Sequence, residues 1–435
     1  MENSIKMKRI IVITLCFLSI YSFSQPITLT LERCISYAKE NNITLKNANL
    51  SKESAEVSLR QAKSAYAPSV SASLSQGIGY SHSEYGGFNA NGNYGINAGM
   101  TLFDGLSTPN SIKQAKLNVT QSEYKIEQAQ NTVNLQIIQA FLSILMNKEM
   151  LEYQEDVLKT SEEQMKQGEA QFKTGKILES DFMMLQAQFT SDSFNIENTK
   201  IAIENNMATL KNILCIRPDK EVEIVKPTEE QLNKALELPE LEEVITKTLG
   251  YYPTLKISEN AVSIAEYDIK IAKANYYPNL SLSAGVSTGY TNKNGSFGSQ
   301  LGNNLGENLG LSLNIPIYNR SITKSQVSQA KIRMQQAELD RAQQELDIVQ
   351  ELQKEYLNTK QAANNYRVAE TRANAYYASY QAYNEKFKFG AITAADLLQQ
   401  QTNYLNYLNT YIQNKYTYLL DRKILDIYMG VPVEL

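Results

Sequence analysis

The chain is built from two copies of one unit, and this duplication limits its fold more than any other feature. Residues 31–81 match residues 241–291 at a constant offset of 210, through pairs such as Leu31/Leu241, Thr44/Thr254, Lys63/Lys273, Tyr66/Tyr276, Pro68/Pro278 and Tyr80/Tyr290. From residue 95 the offset is 215, with Gly95/Gly310, Gln114/Gln329, Phe172/Phe387, Gly175/Gly390, Asp181/Asp396 and Leu210/Leu425 in register. The extra residues enter at 82–92 against 292–307, two stretches rich in Gly, Asn and Ser that read as loops. A long internal period marks a structural unit used twice, so the repeats are placed at 25–230 and 231–435.

Proline is missing where long helices are needed. None occurs between Pro109 and Pro218, or between Pro316 and Pro432, and both spans are rich in Gln, Glu, Lys, Ala, Leu and Asn. A helix from 110 to 172 would run roughly 95 Å at about 1.5 Å per residue. Helices of that length need coiled-coil-like partners. Each span is broken once, at Phe172-Lys173-Thr174-Gly175 and Phe387-Lys388-Phe389-Gly390. Gly just past a helix end supplies a left-handed cap. Each copy therefore holds an antiparallel helical hairpin, with helices expected at about 109–172 and 179–216, then 321–387 and 393–430.

Between the helices the pattern changes to a period of two. Val70, Ala72, Leu74, Ile78 and Tyr80 alternate with Ser69, Ser71, Ser73, Ser75, Gly77 and Gly79. Leu280, Leu282, Ala284, Val286 and Tyr290 alternate with Asn279, Ser281, Ser283, Gly285, Ser287 and Gly289, and the returning strands behave alike. Strands are expected at about 68–80, 93–104, 278–290 and 308–318. A half-buried soluble sheet also alternates. Here, however, the wet face is Ser, Gly and Asn without charge, and each run is about ten residues, enough to cross a bilayer when tilted. Tyr66, Tyr80, Tyr94, Phe103, Tyr276, Tyr277, Tyr290 and Tyr318 gather near the strand ends, where an interfacial girdle belongs. Four strands leave two open edges, which lipid does not tolerate, so subunits must associate. Two copies would fill an eight-stranded barrel with side chains. Small inward residues favour three copies, with four still open.

The N-terminus reads as a secretory leader, residues 1–24. Lys6, Lys8 and Arg9 precede an apolar stretch, Ile10 to Ile20, and Ser22-Phe23-Ser24 sets the cut before Gln25. Leu15 is bulky where a lipoprotein signal carries a small residue, so Cys16 is not expected to be lipidated. Removal of the leader leaves 39 basic against 45 acidic residues, a formal charge of -6. So mild an imbalance argues against nucleic-acid binding. The mature chain keeps Cys34 and Cys215, too few for a disulfide framework. His82 is the sole histidine, and no nucleophile triad, zinc spacing or phosphate loop appears. No enzyme, metal or cofactor is expected. Gly302-Asn303-Asn304-Leu305-Gly306 reads as a surface loop.

Leader, duplicated helix–strand–strand–helix unit and aromatic-x-x-Gly hairpins followed by Asp together resemble the TolC-like outer membrane efflux protein family, over nearly the whole mature chain. The resemblance implies a mainly α fold with a membrane β-barrel. It implies a homotrimer in which each chain adds four strands to a twelve-stranded barrel in outer-membrane lipid, above a periplasmic tunnel of long helices. A mixed belt would include Pro218 to Pro239 and the C-terminal residues. The hairpin tips, Phe172, Lys173, Gly175, Phe387, Lys388 and Gly390, would meet a periplasmic adaptor protein that links them to an inner-membrane transporter. Asp181 and Asp396 match the acids that narrow the periplasmic mouth. Gln399 stands where the family has a second ring carboxylate, and Ile392 where some members carry a basic lock.

Simpler roles accompany these. Asp396, three after Thr393, suits a capping box, and Asp181 a helix first turn. Lys173, Lys176, Lys386 and Lys388 make the tips basic. The stripe Tyr376, Tyr380 and Tyr383 with Tyr404, Tyr407 and Tyr411 suits packing between helices, a drug-binding ladder being the lesser reading. The function expected is a passive outer-membrane conduit of an efflux or export system. The alternatives are a component dedicated to type I protein secretion and a structural coiled-coil protein without a pore.

Overall fold

The computed structural model describes residues 27–82, 87–228, 230–232, 236–292 and 296–434. The expected leader lies outside the described residues. The two repeats share the order helix, helix, strand, strand, long helix, helix, and the second adds a short helix between its strands. β1 (Ile27–Leu29), α1 (Leu31–Asn41), α2 (Ile43–Ser64), β2 (Ser69–Ser81), β3 (Gly87–Asp104), α3 (Ser107–Lys173) and α4 (Glu179–Leu214) form the first. β4 (Val222–Ile224) ends the first, and α5 (Leu241–Tyr251), α6 (Pro253–Ala274), β5 (Asn279–Thr291), α7 (Phe297–Asn303), β6 (Gly306–Asn314), α8 (Ile322–Lys388) and α9 (Ala394–Met429) form the second. α3 and α8 are each 67 residues long, α4 and α9 each 36. Among the described residues no helix is apolar enough to cross a membrane.

The compact units do not coincide with the repeats. One takes residues 1–46, 129–252 and 349–435, the other 47–128 and 253–348, so each draws on both copies. In the first unit, Ile137, Phe141, Ile144 and Leu145 of α3 pack with Leu210 and Leu214 of α4 and with Ile412 and Leu419 of α9. Leu31 and Cys34 of α1 join that core. β1 and β4 pair in parallel beside it, Thr28 opposite Glu223. Cys34 and Cys215 are both free thiols.

The second unit carries an antiparallel sheet in the order β2-β3-β5-β6. Its register sets Ala72 opposite Ile96, Ile96 opposite Val286, and Leu282 opposite Leu311, so one face is mainly apolar, with Gln76, Thr288 and Glu307 toward one end of it. Behind it, side-chain amides tie the helices. Gln114 Nε2 donates to Asp268 Oδ1 at 2.6 Å, and Asn260 Nδ2 to the Leu117 carbonyl at 2.8 Å.

Three expectations shift. β3 begins at Gly87 rather than near 93, because the hairpin ladder runs unbroken to Ser81 opposite Gly87. β6 ends at Asn314 rather than 318. The stretch 292–307 is not all loop. α7 lies within it, and Gly302 sits in its last turn. The side chain of Gln300 in α7 bonds both backbone groups of Thr291, at 2.8 Å each, and so acts as a short partner strand for the end of β5.

Candidate functional site

Both hairpin tips close by the same backbone device. Gly175 N–H donates to the Phe172 carbonyl (2.9 Å) and Lys176 N–H to that of Gln171 (2.8 Å). Gly390 repeats this with Phe387 (2.9 Å), and Ala391 with Lys386 (3.0 Å). The glycines sit at φ +70° and +72°, where a side chain would be strained. The tips differ in their aromatic anchors. Phe387 is buried, whereas Phe172 is 38% exposed and stacks on Phe182 at 5.8 Å. Phe389, at 85% exposure, is the apolar point of the second tip.

The structure brings Asp181 and Asp396 to one cavity of about 440 Å³, shared with Lys176, Lys388, Gly390 and Ile392. Gln399 is exposed along α9, its Nε2 3.3 Å from Asn403 Oδ1, and does not line that cavity. Phe172, Lys173, Gly175 and Phe387 lie outside the cavity lining as well. Ile392 is half-buried against the apolar core, a packing role no basic residue could take.

The acids are held differently. Asp396 completes the capping box: its Oδ2 accepts from Thr393 Oγ1 at 2.7 Å and from Thr393 N–H at 3.2 Å. The Thr393 hydroxyl first, and its N–H second, hold this carboxyl below its ordinary value. Asp181 stands in the first turn of α4, whose cap residue Leu178 has no side-chain bond to give. The expected basic character of the tips is muted, because Lys173 pairs with Glu169 and Lys388 with Glu385, both at 2.7 Å. These are exposed pairs and stabilise little.

Farther along the long helices from the tips, the packing contains polar layers that no motif announces. Asp192, 4% exposed, accepts from Ser161 Oγ, from Gln401 Nε2 at 3.1 Å and from Gln188 Nε2 at 2.9 Å. Burial raises its carboxyl pKa, and those donors oppose the rise. Gln164 Nε2 donates to Tyr380 OH (3.1 Å) and Asn384 Oδ1 (2.9 Å). Glu149 takes Lys415 Nζ at 2.8 Å and Tyr416 OH at 2.7 Å. The amide nitrogens of Gln164 and Gln401 are bonded, while Gln164 Oε1 and Gln401 Oε1 have no partner among the described residues. Buried hydrogen bonds of this kind penalise any slip of one helix past another. The tyrosine stripe packs between helices, with Tyr376 on Tyr407 (4.1 Å) and Tyr380 on Tyr404 (5.6 Å).

The sheet supplies the other surface of functional interest. On the apolar face Leu74, Leu309 and Leu311 are 77%, 78% and 66% exposed, so nothing among the described residues covers them. On the opposite face asparagine amides lie flat over glycines. A Cβ at Gly285 would fall 2.7 Å from both Asn97 Oδ1 and Asn308 Oδ1, and one at Gly289 would fall 2.8 Å from Asn93 Oδ1. That arrangement gives a thin, uncharged polar surface. On the apolar face, toward one end of the strands, Tyr94 and Tyr290 stack at 6.5 Å and their hydroxyls satisfy Gln76.

A face made for lipid, a wet uncharged face and a hairpin wall define a membrane channel subunit. The sequence pattern of the outer membrane efflux protein family matches residues 34–215 and 244–431. The chain belongs to that family, and the outer membrane is its location. The alkaline protease secretion protein AprF of Pseudomonas aeruginosa is 24% identical over 183 residues, 42% of this chain. That match spans only 37% of the relative's length. Among solved structures, the transmembrane channel CusC superposes with a TM-score of 0.79 at 17% identity, over 95% of this chain and 96% of that one. The Campylobacter jejuni outer membrane channel CmeC gives 0.75 at 18%, over 92% and 85%. They share the fold.

Proposed function

We propose that three copies of this chain close a twelve-stranded barrel and form a passive conduit from periplasm to exterior, with no catalytic step of its own. One observation carries the reading: an antiparallel four-stranded sheet with two unpaired edges, a mainly apolar face whose leucines are largely exposed, and an uncharged polar face. β6 runs opposite to β2, so β6 of one copy continues the antiparallel pattern onto β2 of the next. Closure removes every edge, as lipid demands. In the trimer Asp181 and Asp396 of each copy would ring the periplasmic mouth, and like charges brought together recruit cations. The tips, Phe172, Lys173, Gly175, Phe387, Lys388 and Gly390, dock an adaptor protein that couples the conduit to an inner-membrane transporter. Gln399 leaves the mouth with fewer carboxylates, and Ile392 locks it by packing.

Single-channel recording of the mature protein in a planar bilayer tests this. Discrete current steps blocked by multivalent cations are expected, with block weakened severalfold in Asp181→Asn/Asp396→Asn. Unchanged block places the acids away from the pore. Current still absent when the second tip is loosened by Phe387→Ala overturns the channel in favour of a structural coiled coil.

The likeness to a protease-secretion protein favours a second reading, in which the cargo is a secreted protein. A deletion strain separates the two. Loss of one protein from the culture fluid supports secretion, and sensitivity to small toxic compounds supports efflux.

A further inference from the structure

The tyrosine stripe does more than fill space. In the unit that holds the hairpins, α3, α8 and α9 enclose a cavity of about 360 Å³. Tyr153, Tyr377, Tyr404 and Tyr411 wall it, and Val157 and Leu408 add apolar surface. Asp156 and Glu370 reach it from the facing helices α3 and α8, both exposed, and neither is in an ion pair among the described residues. No lysine, arginine or histidine is part of its lining. Tyr380 is buried and bonded to Gln164, whereas Tyr377, which packs against Tyr404 at 5.2 Å, keeps 45% of its surface exposed. Aromatic faces carry negative quadrupoles that attract cations, most strongly when partly desolvated. Two unpaired carboxylates on the same cavity add to that field, and the volume is that of a small-ligand site, on the order of 300–1,000 Å³.

We propose that this cavity is a binding site for a monovalent organic cation with an apolar body, such as a quaternary ammonium compound, held between the tyrosine rings and balanced by Asp156 and Glu370. Burial raises the hydroxyl pKa of Tyr404 and Tyr411, and the nearby Asp156 and Glu370 add to the rise. The chemistry excludes anions and gives a neutral compound of the same shape no electrostatic gain.

Equilibrium dialysis of the full-length purified protein tests the site, with benzyltrimethylammonium as probe and benzenesulfonate as the anion of comparable bulk. Saturable binding of the cation and none of the anion is expected. Asp156→Asn/Glu370→Gln changes only exposed side chains and should weaken binding by about tenfold or more, as loss of charge balance in a cation–π site predicts. Tyr377→Leu should weaken it as well. Absence of saturable binding, equal binding of the anion, or unchanged affinity in the carboxamide variant each overturns the proposal. Channel recording reports on the conduit separately: a silent protein that binds the cation leaves this site standing.

Discussion

Cys215 and Gly430 occupy the same position of the two repeats, 215 residues apart. Both end a long helix in the left-handed region, at φ +57° and +69°. Both make the same pair of closing bonds, Cys215 to Asn212 and Ile216 to Lys211, and Gly430 to Ile427 and Val431 to Asp426. The first copy thus bears a side chain where the second has none. Cys215→Gly should stabilise by up to ~1 kcal/mol, the cost of left-handed backbone less the entropy of glycine, as read from the chemical denaturation midpoint. Cys215→Val should destabilise. Asp421 offers a pH handle. Burial first, and Glu355 second, push its carboxyl from 3.8 up to about 6. The folded state then holds the proton more tightly, so this group's contribution to stability falls as pH rises from near 3.8 through about 6, and is level above. Comparison of thermal midpoints across that window should show a shallower decline for Asp421→Asn than for the parent. Neither position was legible in the sequence: cysteine is no turn signal, and burial of an aspartate depends on which helices meet.

At the scale of elements, Gly168 shows how closely the hairpin helices approach before the tip. It is buried in α3, and an added Cβ would fall on Leu185 Cδ1 of α4. Gly168→Val should therefore splay the hairpin at a cost of about 1–3 kcal/mol, the range for overpacked contacts, with faster amide exchange in the first turns of α4. The long helices themselves were plain from the absence of proline, and the sheet faces from alternation, because both follow from backbone periodicity. What stayed hidden depends on tertiary partners. α7 is short and carries two glycines, Gly298 and Gly302, and it is held to β5 by Gln300. α8 is entered through Arg320-Ser321, both left-handed, matching Gly105-Leu106 of the first copy with no glycine to mark it. The tips were legible as turns, and the two acids as helix starts. Their meeting in one cavity was not, since it requires the two hairpins to lie side by side.

For the whole molecule the decisive distinction is which sheet face meets lipid, and neighbouring residues of β6 can settle it. Leu311 lies on the apolar face opposite Leu282, and Ser312 on the polar face opposite Ser281. A lysine on the lipid face of a barrel costs about 2–4 kcal/mol per copy near the bilayer midplane, and the proposed trimer would incur that cost three times. Leu311→Lys should therefore reduce recovery of the protein from the outer-membrane fraction. Ser312→Lys meets water in the lumen. It should insert as the parent does, and show itself instead as a shift of ion selectivity toward anions, since three positive side chains would line the pore. Native mass spectrometry of both variants fixes the number of copies independently. If Ser312→Lys blocks insertion and Leu311→Lys does not, the faces are reversed. If both variants insert and conduct like the parent, the sheet does not form the pore wall.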